Sequence, residues 1–108
     1  MVSDRTAIAS RKLLAIDKNG HEFELTVAVG EPYQTSGSEW ACSVSIQGLH
    51  ERLPDMHGVD SWQALQLAYQ MAARLLIDFT DNGGRLFGVE EGERVTPREL
   101  FPGLAGRD

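Results

Sequence analysis

Residues 13–29 read LLAIDKNGHEFELTVAV, two apolar-rich runs joined at Asp17-Lys18-Asn19-Gly20. Asn-Gly supplies the two positive-φ positions that a tight two-residue hairpin loop demands, so the segment predicts a pair of antiparallel strands. With Asn19 and Gly20 as the loop, Lys18 falls opposite His21, Ile16 opposite Phe23 and Leu14 opposite Leu25, which gathers the large apolar side chains on one face. Along the second strand Phe23, Leu25, Val27 and Val29 alternate with Glu22, Glu24, Thr26 and Ala28, the period of a sheet with one face in the core and one in water.

Working outward, the first strand is expected over residues 6–16 and the second over residues 21–29. Gly30, Pro32 and Gly37 then mark a loop over residues 30–39, with turn chemistry and no apolar period. A third strand over residues 40–47 alternates Trp40, Cys42, Val44 and Ile46 with Ala41, Ser43, Ser45 and Gln47. Neighbours in a meander usually pair, so the second strand should hold both others.

After a segment broken by Pro54 and Gly58, Asp60-Ser61-Trp62-Gln63 has the form of a helix start, Asp60 accepting from first-turn amides and Gln63 reaching back to the cap. The helix is expected over residues 61–81, stopped by Asn82-Gly83-Gly84. Its polar stripe is Gln63, Gln66, Gln70, Arg74 and Asp78; Leu65, Ala68, Ala72, Leu75, Leu76 and Phe79 face the sheet, flanked by Leu67, Met71 and Ile77. That arc is wider than a helix on an open sheet requires, so the C-terminal segment, the loop at 30–39 or a second copy must cover its flank. Residues 85–89 read as a last short strand, Glu90 to Glu93 as an exposed turn, and Thr96-Pro97-Arg98-Glu99 as a capping box opening a helical turn that ends near Phe101. The predicted class is therefore α+β: an antiparallel β-meander of three to four strands packed against one long α-helix, with a short C-terminal helical turn. One domain is expected over residues 1–101, with a frayed tail over 102–108.

A chain of 108 residues with 42% hydrophobic and 24% charged residues has ordinary globular usage and buries roughly two-thirds of its unfolded surface. Cys42 is the lone cysteine, so no internal disulfide forms and a reducing compartment is expected. Charged residues near the start, Asp4, Arg5, Arg11 and Lys12, leave no signal peptide or membrane span, and the expectation is a cytoplasmic protein. The formal net charge of -6 argues against nucleic acid, whose phosphates need clustered Lys and Arg. It could steer a basic protein partner, but acidity is more commonly a solubility device.

His50, Glu51, Asp55, His57 and Asp60 form the one cluster of candidate ligands or acid-base groups, on a loop leading to a helix start, where function often sits. The candidate binding surface is His50, Asp55, His57 and Asp60. The two histidines match no metal-site spacing, so no metal and no cofactor is expected. On the structural reading Asp60 caps the helix, Asp55 after Pro54 makes a turn, and the histidines are solvated. Cys42 shares its strand phase with Trp40, Val44 and Ile46, which predicts a buried thiol and no nucleophile. No Ser-His-Asp order and no phosphate loop is present, so no catalytic residue is assigned.

Trp40, Cys42, Ile46, Gly48 and Leu49, followed by Gly58-Val59-Asp60-Ser61-Trp62-Gln63-Ala64-Leu65, resemble a family of small bacterial proteins grouped as a domain of unknown function. The resemblance spans about the middle third of the chain and rests on strand core, turn glycines and helix cap. It implies a bacterial cytoplasmic setting and carries over no functional residue. The expected function is a non-enzymatic protein-binding or regulatory module, an immunity-like protein being one instance. The alternatives are a small enzyme or ligand-binding protein using the His50 to Asp60 loop, or a homodimer whose partner is a second copy of the chain.

Overall fold

The computed structural model describes residues 7–90 and 92–104. The expected start of the first strand at Thr6, the place of Glu91 in its turn and the tail beyond 104 lie outside the described residues.

Strands β1 (Ala7–Ile16) and β2 (Glu22–Gly30) form the hairpin, but its loop has three residues. Gly20 N–H donates to the Asp17 carbonyl at 2.9 Å and Asp17 N–H to the His21 carbonyl at 2.9 Å. Only Gly20 in the loop has positive φ, at 89°. A turn followed by one left-handed glycine is the three-residue alternative to the two-residue loop. Asp17 selects it: Oδ1 accepts the amides of Asn19 at 2.8 Å and His21 at 3.0 Å. The extra loop residue slips the ladder by one, so Leu13 faces Leu25, Ala15 faces Phe23 and Ile16 faces Glu22. A one-residue slip exchanges the faces of a strand. Leu13 and Ala15, not Leu14 and Ile16, therefore enter the core with Leu25 and Val27.

The strand expected over residues 40–47 divides at Ser43 into β4 (Trp40–Cys42) and β5 (Val44–Gln47). The short strands β3 (Tyr33–Gln34) and β6 (Met56–Gly58) arise within segments expected to be loops. Beyond the long helix come β7 (Arg85–Gly88) and β8 (Arg94–Val95). Two antiparallel sheets result, one ordered β5-β2-β1-β7-β8 and one ordered β3-β4-β6. As expected, β2 pairs with β1, but of the expected third strand it holds only the β5 half; β4 pairs instead with β3 and β6. The strand expected over residues 85–89 is β7, which pairs with the other edge of β1, Leu14 facing Phe87, and holds β8 on its far side. The apolar alternation survives the division, since Cys42, Val44 and Ile46 are all buried.

Helix α1 (Ser61–Asp81) begins at Asp60, whose carboxylate accepts the Gln63 amide at 2.8 Å. The Gln63 side chain accepts from Val59 N–H at 2.8 Å, one residue before the cap it was expected to reach. Asn82 closes the helix and Gly83 follows with φ 102°. The buried seam is Ala64, Ala68, Ala72, Ala73 and Leu76, while Leu65, Leu75 and Phe79 flank it half-buried. Small residues let the helix backbone sit close to β4, β5 and β6, against which it packs. Gly58 completes that approach, for a Cβ there would lie 2.6 Å from the Ala64 nitrogen. Phe79 meets Phe23 edge-on with ring centroids 6.1 Å apart.

The C-terminal segment covers the far flank of α1. Thr96 and Glu99 form both bonds of the expected capping box at α2 (Pro97–Leu100), and buried Phe101 packs edge-on against Tyr69 at 5.1 Å. The fold is α+β, antiparallel sheets on one long helix with a short C-terminal one. Among the described residues no helix is long and apolar enough to cross a membrane.

Candidate functional site

The ladder pairings set a run of small side chains on the sheet face turned away from the core. Ser10, Ala28 and Ser45 lie side by side across β1, β2 and β5, and Ala7 lies opposite Gly30. The connection from β5 to β6 folds back beside this face. Gly48 makes the sharp turn at φ 97°, so close to β2 that a Cβ would lie 2.4 Å from the Glu24 carbonyl oxygen. His50 N–H then donates to the Ile46 carbonyl at 2.8 Å, and Glu51 accepts from Gly48 N–H at 3.0 Å. Glu51, Arg52, Leu53 and Asp55 thereby wall an open groove of about 820 Å³ floored by Ser10, Thr26, Ala28 and Ser45.

Asp55 stands at the junction of this groove with the smaller sheet and accepts a hydrogen bond from the Tyr33 hydroxyl. Tyr33 and His57 flank Ala41 across β3, β4 and β6, and Ala41 is fully buried between them. His57 Nδ1 lies 2.9 Å from Glu39 Oε2, both side chains half-exposed. His57 thus belongs to a strand, not to the loop expected for it, because its backbone pairs with Ala41.

The four residues read as one surface consequently separate. Asp55 lines the groove and His50 holds the turn beside it as an isolated bridge to Ile46. His57 lies in β6, and Asp60 caps α1, one carboxylate oxygen accepting the Gln63 amide. Among the described residues no three His, Cys, Asp or Glu side chains come together as a metal site. Cys42 is buried, donates to the Gly30 carbonyl at 3.2 Å, and its thiol is pushed up from its ordinary value by burial, with the Asp55 charge acting in the same direction.

The feature that sequence reasoning missed is the apolar pair around the cap. Val59 and Trp62 are each 73% exposed. Trp62 belongs to the capping tetrapeptide, and it stands four residues before Gln66 and therefore on the polar side of the helix. That phase was the available signal.

The chain belongs to the family described as Domain of unknown function (DUF6968), which matches residues 9–96. The match reaches well beyond the middle third, from β1 to the residue that caps α2, and takes in both the groove and the Val59–Trp62 surface. No curated protein and no solved structure matches the chain.

Proposed function

We propose that this domain is a non-enzymatic protein-binding module of the bacterial cytoplasm, and that Trp62 and Val59 are the centre of its contact surface. The observation that carries the reading is their exposure, 73% each, on a well-capped helix start. A large rigid indole on a fixed helix is the side chain most often found to dominate a protein interface, since it buries much area at little entropic cost. His57 precedes the pair by two residues and Asp60 lies between its members, which gives two of the four candidate residues a place beside it.

A photoreactive side chain introduced at position 62 in the producing cell tests this, with exposed Arg74 as the control position. The expected outcome is a discrete adduct with a different protein from position 62 and none from position 74. Equal labelling from both positions, or no adduct at all, rules the surface out, and an adduct of twice the chain mass replaces it with the homodimer reading.

The groove beside Asp55 favours a second reading, a binding site for a small or extended ligand. Its floor of small side chains admits an occupant close to the sheet. A Ser45→Trp variant fills it, and protection of the folded protein by a ligand that this variant no longer binds is the supporting result.

A further inference from the structure

We propose that the Val59–Trp62 surface receives a cationic segment of a partner protein, a lysine or arginine placed next to an apolar side chain; this rests on the protein-binding reading above and names the chemistry of the partner.

The argument begins with where the basic residues are. Residues 19–51 contain no Lys or Arg, and neither do residues 53–73. These two stretches build β2 to β6 and the first half of α1. The charges they contribute are acidic, among them Glu31, Glu39, Asp55 and Asp60. The net charge of -6 is thus not spread evenly along the chain: between Lys18 and Arg74 the sole Lys or Arg is Arg52, and it lies in the groove wall.

Two of those carboxylates border the apolar pair. The β4–β6 ladder ends where Trp40 pairs with Gly58, and Glu39 and Val59 are the next residues of the chain beyond that last pair. Glu39 is half-exposed, with Oε2 held by His57. Asp60 lies between Val59 and Trp62 and engages the Gln63 amide through Oδ1. That carboxylate also offsets the positive end of the helix dipole, which would otherwise repel a cation. An exposed indole beside carboxylates suits an ammonium or guanidinium, by attraction to the ring face and to the acids together. Neighbouring Val59 accommodates the apolar residue. A phosphate backbone or an anionic surface is repelled, and a second copy laid on the same patch would set Glu39 and Asp60 against their own counterparts.

Short fluorescently labelled peptides alternating lysine with leucine are the probe, compared with peptides alternating glutamate with leucine, on the full chain. Saturable binding is expected for the lysine peptide alone, weakened by salt. Trp62→Ala should weaken it about thirtyfold, the weight of a dominant interface side chain. The pair Glu39→Gln and Asp60→Asn should weaken it about tenfold or more while leaving the melting temperature nearly unchanged, since Asn also caps helices. Equal binding of both peptides, or binding indifferent to the two carboxylate changes, overturns the cationic partner. If the position-62 adduct also survives the two carboxylate changes, only the charge argument falls; if that adduct is absent as well, the protein-binding reading falls with it.

Discussion

Leu13 stands directly opposite Leu25 across the β1–β2 ladder, one residue away from the pairing that a two-residue Asn19-Gly20 loop would impose. The three-residue loop needs a left-handed conformation at Gly20 alone, where φ is 89°. Open space surrounds the position a Cβ would take, so the cost of a side chain there is conformational only. Gly20→Ala should destabilise by about 1–2 kcal/mol, and Asn19→Ala by less than about 0.5. Denaturant midpoints measure both, and comparable losses at the two positions would restore the two-residue turn.

The seam between α1 and the smaller sheet makes a second, sharper prediction. A Cβ on Gly58 would press on the backbone of Ala64 and Gln63, which cannot step aside as a side-chain tip can. Gly58→Ala should therefore cost about 1–3 kcal/mol by overpacking. Leu76, fully buried on the same helix, should cost about 2–5 kcal/mol on truncation to alanine. Exposed Arg74→Ala serves as the neutral reference, and thermal melts of the three variants rank them.

What the sequence could disclose follows from the range of the interactions involved. The cap at Asp60, the stop at Asn82 and the capping box at Thr96 are made within a few residues, and all are legible in the local pattern. The alternation of Cys42, Val44 and Ile46 is likewise local and locates the core face. The one-residue ladder slip was hidden because Asn-Gly suits two loops, and the carboxylate of Asp17 decides between them through amides that no periodicity reveals. Short strands β3 and β6 exist only because β4 lies between them, a tertiary fact. The candidate loop is divided for the same reason: His57 pairs with Ala41 in β6, while Asp55 lines the groove. Trp62 was visible in the sequence, but its meaning depended on the helix face; the seam keeps Ala68, Ala72 and Leu76 of the expected face and adds Ala64 and Ala73, while Leu65, Leu75 and Phe79 are only partly buried beside it.

Cys42 provides a chemical test of the core. Its thiol is fully buried, donates to the Gly30 carbonyl, and burial holds its pKa above the ordinary value. Thiolate is the reactive form. A thiol reagent at neutral pH should therefore label the native chain slowly and the denatured chain at the rate of a free cysteine. Stoichiometric labelling of the folded protein within the denatured time course would show that the β4–β5 division opens readily and would return Cys42 to the list of nucleophiles.

Acid should weaken the hairpin turn through Asp17. The backbone amide of His21, foremost, and then that of Asn19 hold its carboxyl below the ordinary carboxylate value, outweighing the opposing effect of desolvation. A depressed native pKa means that the unfolded chain takes up the proton first, so stability rises with pH in that interval. The contribution is complete above an unfolded value of about 4 and disappears as pH falls through the lower native value. The carboxyl resonance of Asp17 should titrate below that of an unfolded reference peptide. Correspondingly, the gap in denaturant midpoint between the natural chain and Asp17→Asn should be widest near neutrality and narrow steadily below about pH 4. A gap that stays constant down to the acid limit would mean that Asp17 acts in the turn through its shape and not through its charge.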